Sequence, residues 1–165
     1  MNDTLLSSGV PYYEDPRYWS GELTWRPGHT RAPYCDFAGN RIKVEYVVSY
    51  LRPQGKVLDA ACAMGFVTRR LRAAGVDAWG VDISKFALEN APADVKPYLK
   101  EGSLLSIPFP AQHFDLVVCF GALEHFTEHE LKKVVGEVQR VARRGVVAIT
   151  CRGDPGAVED PHHVT

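Results

Sequence analysis

The sequence lacks the charge imbalance that is typical of nucleic-acid-binding proteins. It also lacks the long apolar runs that are typical of membrane proteins. Its 165 residues carry 19 basic and 20 acidic side chains, a formal net charge of −1. A charge so close to zero produces no strong field that would attract a nucleic acid or an anionic membrane. No apolar run approaches the roughly 20 residues that a membrane-spanning helix needs. We therefore expect neither a membrane nor a nucleic acid as a partner.

Cysteine is also scarce, and its spacing excludes two common kinds of site. The four cysteines, at positions 35, 62, 119 and 151, form no CxxC pair. A zinc site or a disulfide framework is therefore not expected, and we predict no metal ligands. The first residues, MNDTLLSSGVPYYEDP, lack the basic start and apolar core of a secretory leader. These features favour a cytoplasmic protein with a single core.

Aromatic residues, by contrast, are concentrated near the start of the sequence. Residues 10–37 are rich in Tyr, Trp, Pro and Gly, a composition typical of turns rather than of a long helix or strand. We interpret residues 1–37 as an arm or lid and residues 38–165 as the main domain. Two interpretations of the arm remain open: it covers the core, or it closes over a ligand pocket. In the second, three of its side chains would bind the substrate: Tyr12, Tyr13 and Trp19.

Strand and helix patterns alternate after residue 38. The apolar runs and their stop signals predict strands over 56–62, 78–83, 96–100, 114–120 and 146–151. Helices are predicted over 38–51, 67–74 and 127–143, and another after residue 84, where Ser84 can cap it. Such alternation is typical of βαβ units. We predict an α/β fold with a doubly wound, mostly parallel sheet in a three-layer sandwich, whose ligand crevice lies at the carboxyl ends of the strands.

Two acidic residues are predicted to end neighbouring strands at that crevice. Asp59 precedes a turn of small residues that opens into a helix at Gly65, and Asp82 follows 23 residues later at the end of the second strand. This separation suits a carboxylate that binds the hydroxyls of a ribose. The turn lacks the GxGxxG pattern of a dinucleotide site, and Asp59 would repel a phosphate. A cationic nucleoside fits this arrangement better.

Three stretches together resemble one family. VLDAACAMG, VDIS and EGSLLSIPFPAQHFDLVVCFGALEHF, within residues 55–150, are similar to the ordered motifs of class I S-adenosylmethionine-dependent methyltransferases that act on small molecules. The resemblance implies S-adenosylmethionine as cofactor and S-adenosylhomocysteine (SAH) as product. Asp82 would bind the ribose, Ile83 would pack on adenine, and Phe120 would lie beside the methionine moiety. The implied contacts to the methionine end are Asp59, Ala60, Ala61, Cys62, Ala63 and Gly65, and those to the adenine edge are Ser103 and Leu104.

The sequence departs from the family pattern in three places. Ala61 and Ala63 stand where the motif has glycine; alanine costs of order 1 kcal/mol if these positions need positive φ, and narrows the pocket if they only need to be small. Ser103 stands where the family often has aspartate. After Thr150 the sequence is too short for the family's C-terminal antiparallel hairpin of strands six and seven. We expect a homodimer contact or a partner to cover the exposed edge of the fifth strand.

Candidate catalytic residues follow the fourth strand. Methyl transfer needs a general base only when the acceptor must lose a proton, and His125, with Glu124 beside it, lies where such a base would stand. The segment GALEHF also resembles the cyclopropane-forming branch of the family, in which the acid and histidine hold a small anion. We therefore predict a methyltransferase acting on a small-molecule acceptor. The alternative is a protein that binds S-adenosylmethionine without turnover, derived from a methyltransferase domain.

Overall fold

The computed structural model describes residues 13–22, 32–144 and 146–149 of the chain. Five strands form its sheet: β1 (Val57–Ala60), β2 (Ala78–Asp82), β3 (Leu99–Glu101), β4 (Leu116–Phe120) and β5 (Val146–Ile149). The strands are ordered β3-β2-β1-β4-β5, and every pair is parallel. The chain winds outward from β1 in one direction and then from β4 in the other. This is the predicted doubly wound α/β fold, with its switch point between β1 and β4.

Five α-helices accompany these strands in the described ranges. They are α1 (Pro16–Ser20), α2 (Ala38–Tyr46), α3 (Phe66–Ala73), α4 (Lys85–Glu89) and α5 (Glu128–Val141). A π-helical segment, Val47–Leu51, extends α2 and ends where Arg52 adopts a left-handed conformation. Short 3₁₀ turns span Lys96–Tyr98 and Leu123–His125. Among the described residues, no helix is both long and apolar enough to span a bilayer.

The core lies in two layers because successive strand residues point to opposite faces of the sheet. On one face Val57, Leu116 and Val118 pack against Leu71 of α3 and Val47. The opposite layer joins the strands to α5 and is formed by Leu58, Phe114, Val117, Val134, Val138 and Val141. Strand residues buried on both faces produce the near-continuous apolar runs seen in the sequence. The three-layer arrangement is therefore confirmed.

Helix starts agree with their predicted capping signals. The Ser84 hydroxyl accepts a hydrogen bond from the Ala87 amide, and Thr127 and Glu130 form a reciprocal capping box at the start of α5. The third strand is shorter than predicted: residues 96–98 form a 3₁₀ turn and pairing begins at Leu99. Pro97 explains the difference because it has no N–H to donate to a strand ladder. Residues 150–165, on which the expectations of a missing hairpin and a covered edge rest, lie outside the described residues.

Candidate functional site

Asp59, the third residue of β1, lies beneath the carboxyl edge of the sheet. Its side chain is only 2% exposed, and Oδ2 accepts hydrogen bonds from the Thr68 amide (3.1 Å) and the Thr68 hydroxyl (2.8 Å) in α3. Burial raises the pKa of Asp59 to about 6, although the Thr68 hydrogen bonds and the positive charge of Lys43 act in the opposite direction. The carboxylate therefore holds α3 against β1 and also places negative charge under the crevice.

Asp82, the last residue of β2, connects the two turns at this edge. It is 8% exposed; Oδ2 accepts from the Ala63 amide (2.7 Å) and Oδ1 from the Ser84 amide (2.9 Å). Burial raises the pKa of Asp82, and its negatively charged neighbour Glu14 adds to the effect. The charges of Asp59 and Asp82 also act on each other. The two predicted carboxylates are thus near neighbours at one end of the sheet.

The turn between β1 and α3 has an unusual backbone. Ala61 (φ 62°), Ala63 (φ 51°) and Gly65 (φ 71°) all lie in the left-handed region. Of the two explanations for the motif's glycines, the structure therefore supports the need for positive φ, which is strained for alanine. Cys62 is buried, and a side chain at Gly80 of β2 would meet its Sγ at 2.6 Å. The turn thus packs closely onto the neighbouring strand.

The described part of the N-terminal arm lies on the same edge. The Tyr13 carbonyl accepts hydrogen bonds from the Ser84 hydroxyl (2.8 Å) and from the Trp19 ring N–H (2.7 Å). Trp19 is 6% exposed, and its carbonyl accepts from the Tyr34 amide (2.8 Å). Ring contacts run from Tyr13 through Tyr18, Trp19 and Tyr34 to Phe66 of α3. The described part of the arm therefore packs on the core at this edge of the sheet, and its role as a lid stays a prediction; Tyr12 lies outside the described residues.

The residues after β4 complete the other side of the crevice. Glu124 and His125 form a 3₁₀ turn, and the His125 ring lies 5.9 Å from the ring of Tyr13, centroid to centroid. Glu124 Oε2 is buried without a hydrogen-bond partner. Lys43 of α2 places its ammonium 5.2 Å from the centre of the Phe120 ring. Of the two predicted catalytic residues, His125 thus contacts the arm, and Glu124 lies beside it in the turn after β4.

The remaining predicted cofactor-binding residues differ in how exposed they are. Ile83 is exposed beside Asp82. The Ser103 hydroxyl accepts from the Leu105 amide (3.1 Å), whereas the Leu104 side chain is buried in the core and leaves only its backbone for a ligand. Ala60 is likewise buried. In the described ranges no group of three His, Cys, Asp or Glu side chains is arranged to hold a metal ion.

Sequence reasoning missed four residues of this site: Glu14, Tyr34, Lys43 and Thr68. Thr68 carried a usable signal, since a hydroxyl in the first turn of a helix can bind the acid of the preceding strand. Tyr34 lies near Asp59 and Asp82, and burial together with their charges raises its pKa far above the usual value. Nothing in the sequence spacing of Glu14 or Lys43 indicated a place in the crevice. Both side chains are brought there by packing between segments that are far apart in the sequence.

This fold, with an acid at the end of β2 and a tight turn after β1, is that of a Rossmann-like α/β domain. The model of a methyltransferase domain family matches residues 57–145. An uncharacterized methyltransferase of Synechocystis sp. is 33% identical over 96 residues, 58% of this chain and 45% of that protein. The uncharacterized methyltransferase YcgJ of Bacillus subtilis is 30% identical over 101 residues, 56% of this chain and 38% of that protein.

A solved structure supports the same assignment at the level of the fold. Magnesium protoporphyrin IX methyltransferase from Synechocystis, with bound SAH, superposes with a TM-score of 0.57 at 21% identity, over 67% of this chain and 53% of that chain. The present chain belongs to the methyltransferase domain family, among the class I S-adenosylmethionine-dependent methyltransferases. It spans less than half the length of the two curated relatives described above.

Proposed function

We propose that this domain binds S-adenosylmethionine at the carboxyl edge of its sheet and transfers the methyl group to a small-molecule acceptor. The observation that carries the proposal is the pair of buried carboxylates of adjacent strands, Asp82 at the end of β2 and Asp59 one residue before the end of β1. The bound cofactor would supply an activated methyl group on a sulfonium. The chain's own residues bind it, orient it and exclude water.

The charge of the crevice fits this cofactor. Asp59 and Asp82 provide negative charge, and Glu14 and Glu124 each have a buried carboxylate oxygen without a hydrogen-bond partner. Such groups repel a pyrophosphate but stabilise a ligand that carries a sulfonium and an ammonium. Lys43, near both Phe120 and Asp59, would suit the carboxylate at the amino-acid end. A nicotinamide dinucleotide is disfavoured for the same electrostatic reason.

Specific roles follow from position along the edge. Asp82 would bind the ribose hydroxyls, since a carboxylate offers about four lone-pair positions and the backbone amides of Ala63, Ser84 and Ile83 leave part of them for a ligand. His125 would act as base for an acceptor that must lose a proton, with Tyr13 beside it contacting that acceptor. The cover formed by the arm favours a small acceptor over a macromolecule.

A second function, binding without turnover, is favoured by the strained turn. Ala61 and Ala63 hold left-handed conformations at a cost that glycine would avoid. A domain released from selection for catalysis would tolerate this cost. Loss of the methyl group from S-adenosylmethionine to a panel of acceptors separates the two functions, because a protein that only binds gives no methylated product.

Calorimetry with S-adenosylmethionine, SAH and NAD tests the binding proposal directly. Asp82→Ala should weaken binding of the two methionine-derived ligands by about 1.5–3 kcal/mol, the contribution of hydrogen bonds to a charged group. Asp77→Ala is the matched control: Asp77 precedes β2 at the opposite end and pairs with Arg72 on the surface. Tighter binding of NAD than of SAH, or equal affinity in wild type and Asp82→Ala, would contradict the assignment.

A further inference from the structure

The N-terminal arm brings a third carboxylate to the crevice. Glu14 Oε2 accepts a hydrogen bond from the Phe86 amide (3.1 Å) in the first turn of α4, directly after the residues that follow β2. Its negative charge is close enough to Asp82 to act on that carboxyl group. Glu14 therefore lies on the side of the crevice where the sugar of a nucleoside would bind.

The other oxygen of Glu14 lacks a donor. Oε1 is buried and has no hydrogen-bond partner. A buried acceptor that stays unsatisfied is costly, and a charged one more so. Glu14 is also held in place, because the carbonyl of the preceding Tyr13 binds both Ser84 and Trp19. The side chain is thus presented in a fixed position with one vacant acceptor.

Three donors next to these acids in the described residues are already used. The Phe86 amide binds the other oxygen of Glu14, the Ser84 amide binds Asp82, and the Ser84 hydroxyl donates to Tyr13. Two neighbouring carboxylates that retain free lone pairs match a ligand with two adjacent hydroxyl donors. A ribose is such a group, and it carries no negative charge that these acids would repel.

We propose that Glu14 Oε1 accepts a hydrogen bond from a ribose hydroxyl of the bound nucleoside, so that the arm and Asp82 share one sugar. This inference rests on the proposed cofactor site and adds the arm to it. Binding then requires the closed arm, and the ligand in turn stabilises the arm over the crevice. Glu14 is a binding residue supplied by a segment outside the matched family domain.

The test compares Glu14→Ala and Glu14→Gln with Glu22→Ala, an exposed acid farther along the arm. Titration calorimetry with SAH should show about 10- to 100-fold weaker binding for Glu14→Ala, a smaller loss for Glu14→Gln, and no change for Glu22→Ala. Adenosine and 2′,3′-dideoxyadenosine are the matched probes, and ligand-observed NMR measures the binding of each. Glu14→Ala should weaken adenosine binding and leave the dideoxy probe unchanged.

Three results would overturn the inference. Unchanged SAH affinity in Glu14→Ala shows that no ligand donor reaches this oxygen. An equal loss for adenosine and its dideoxy analogue shows a structural role of the arm rather than a hydroxyl contact. If both ligand-free Glu14 variants lose thermal stability and also lose affinity for both probes in parallel, Glu14 has a structural role and no hydroxyl contact. Wild-type protein that binds no SAH refutes the cofactor site itself, whereas wild-type binding with Glu14 insensitivity refutes only the present inference.

Discussion

The strained turn after β1 gives a sharp stability prediction. Ala63 has a φ of 51° and Ala61 one of 62°. A left-handed conformation costs a non-glycine residue roughly 1–2 kcal/mol, and glycine would remove this cost. Glycine also makes the unfolded chain more flexible, which offsets about 0.4–1 kcal/mol of the gain. We therefore expect Ala63→Gly to raise the free energy of unfolding by about 0.5–1 kcal/mol.

Ala61→Gly should gain less, because the Ala61 methyl is partly buried against the core. Fully burying one methylene contributes about 0.8 kcal/mol, so losing a half-buried methyl removes roughly 0.4 kcal/mol. The net change for Ala61→Gly is then about 0–0.5 kcal/mol. The expected order of stability is Ala63→Gly, then Ala61→Gly, then wild type.

Urea denaturation followed by circular dichroism measures these differences, and a gain of 1 kcal/mol would raise the melting temperature by about 2–4 °C in a chain of this size. Ala73→Gly, at an exposed position in α3, is the control. Ala73 has no left-handed strain for glycine to relieve, so glycine there should not stabilise the protein. If Ala63→Gly lowered stability as much as Ala73→Gly does, the backbone of the turn would not be strained as described.

Two further predictions concern Asp59 and His125. Burial raises the pKa of Asp59 to about 6, so between about pH 4 and 6 the folded protein keeps this carboxyl group protonated while the unfolded chain ionises it. The free energy of unfolding should therefore fall by about 3 kcal/mol as pH rises through this range. Urea denaturation between pH 4 and 7 should therefore show a shallower decline in Asp59→Asn than in wild type, and equal slopes would contradict the assigned burial effect. His125→Ala should lower methyl transfer by about 10²- to 10⁴-fold if His125 is the base. A rate assay against His129→Ala, an exposed histidine of α5, checks this, and matching rates would exclude the role.

The sequence allowed the sheet to be predicted because buried parallel strands leave a simple apolar signal. LVVCF and VVAIT predicted β4 and β5, and the capping box at Thr127 marked the start of α5. The short run before Ser84 predicted the second strand and placed Asp82 at its end, where β2 also ends. The β3 start was misplaced because Pro97 interrupts an otherwise extended pattern.

The arm could not be predicted in the same way. Its contacts with the crevice join residues about 70 positions apart, as in the hydrogen bond from Ser84 to the Tyr13 carbonyl. No periodic pattern encodes such a contact. For Ala63 the sequence left positive φ as one of two explanations of the motif's glycine, because alanine itself favours right-handed geometry and only the surrounding structure imposes the other.

Tyr13 touches both halves of the doubly wound sheet. Its carbonyl binds Ser84, which follows β2, and its ring meets His125, which follows β4. A single residue therefore contacts both the half of the sheet that we assign to the nucleoside and the half that we assign to the acceptor. A proposed ligand that displaced Tyr13 would change the affinity for the other, and by thermodynamic linkage the effect would be reciprocal. If both ligands bind as proposed, the affinity for each should depend on whether the other is bound.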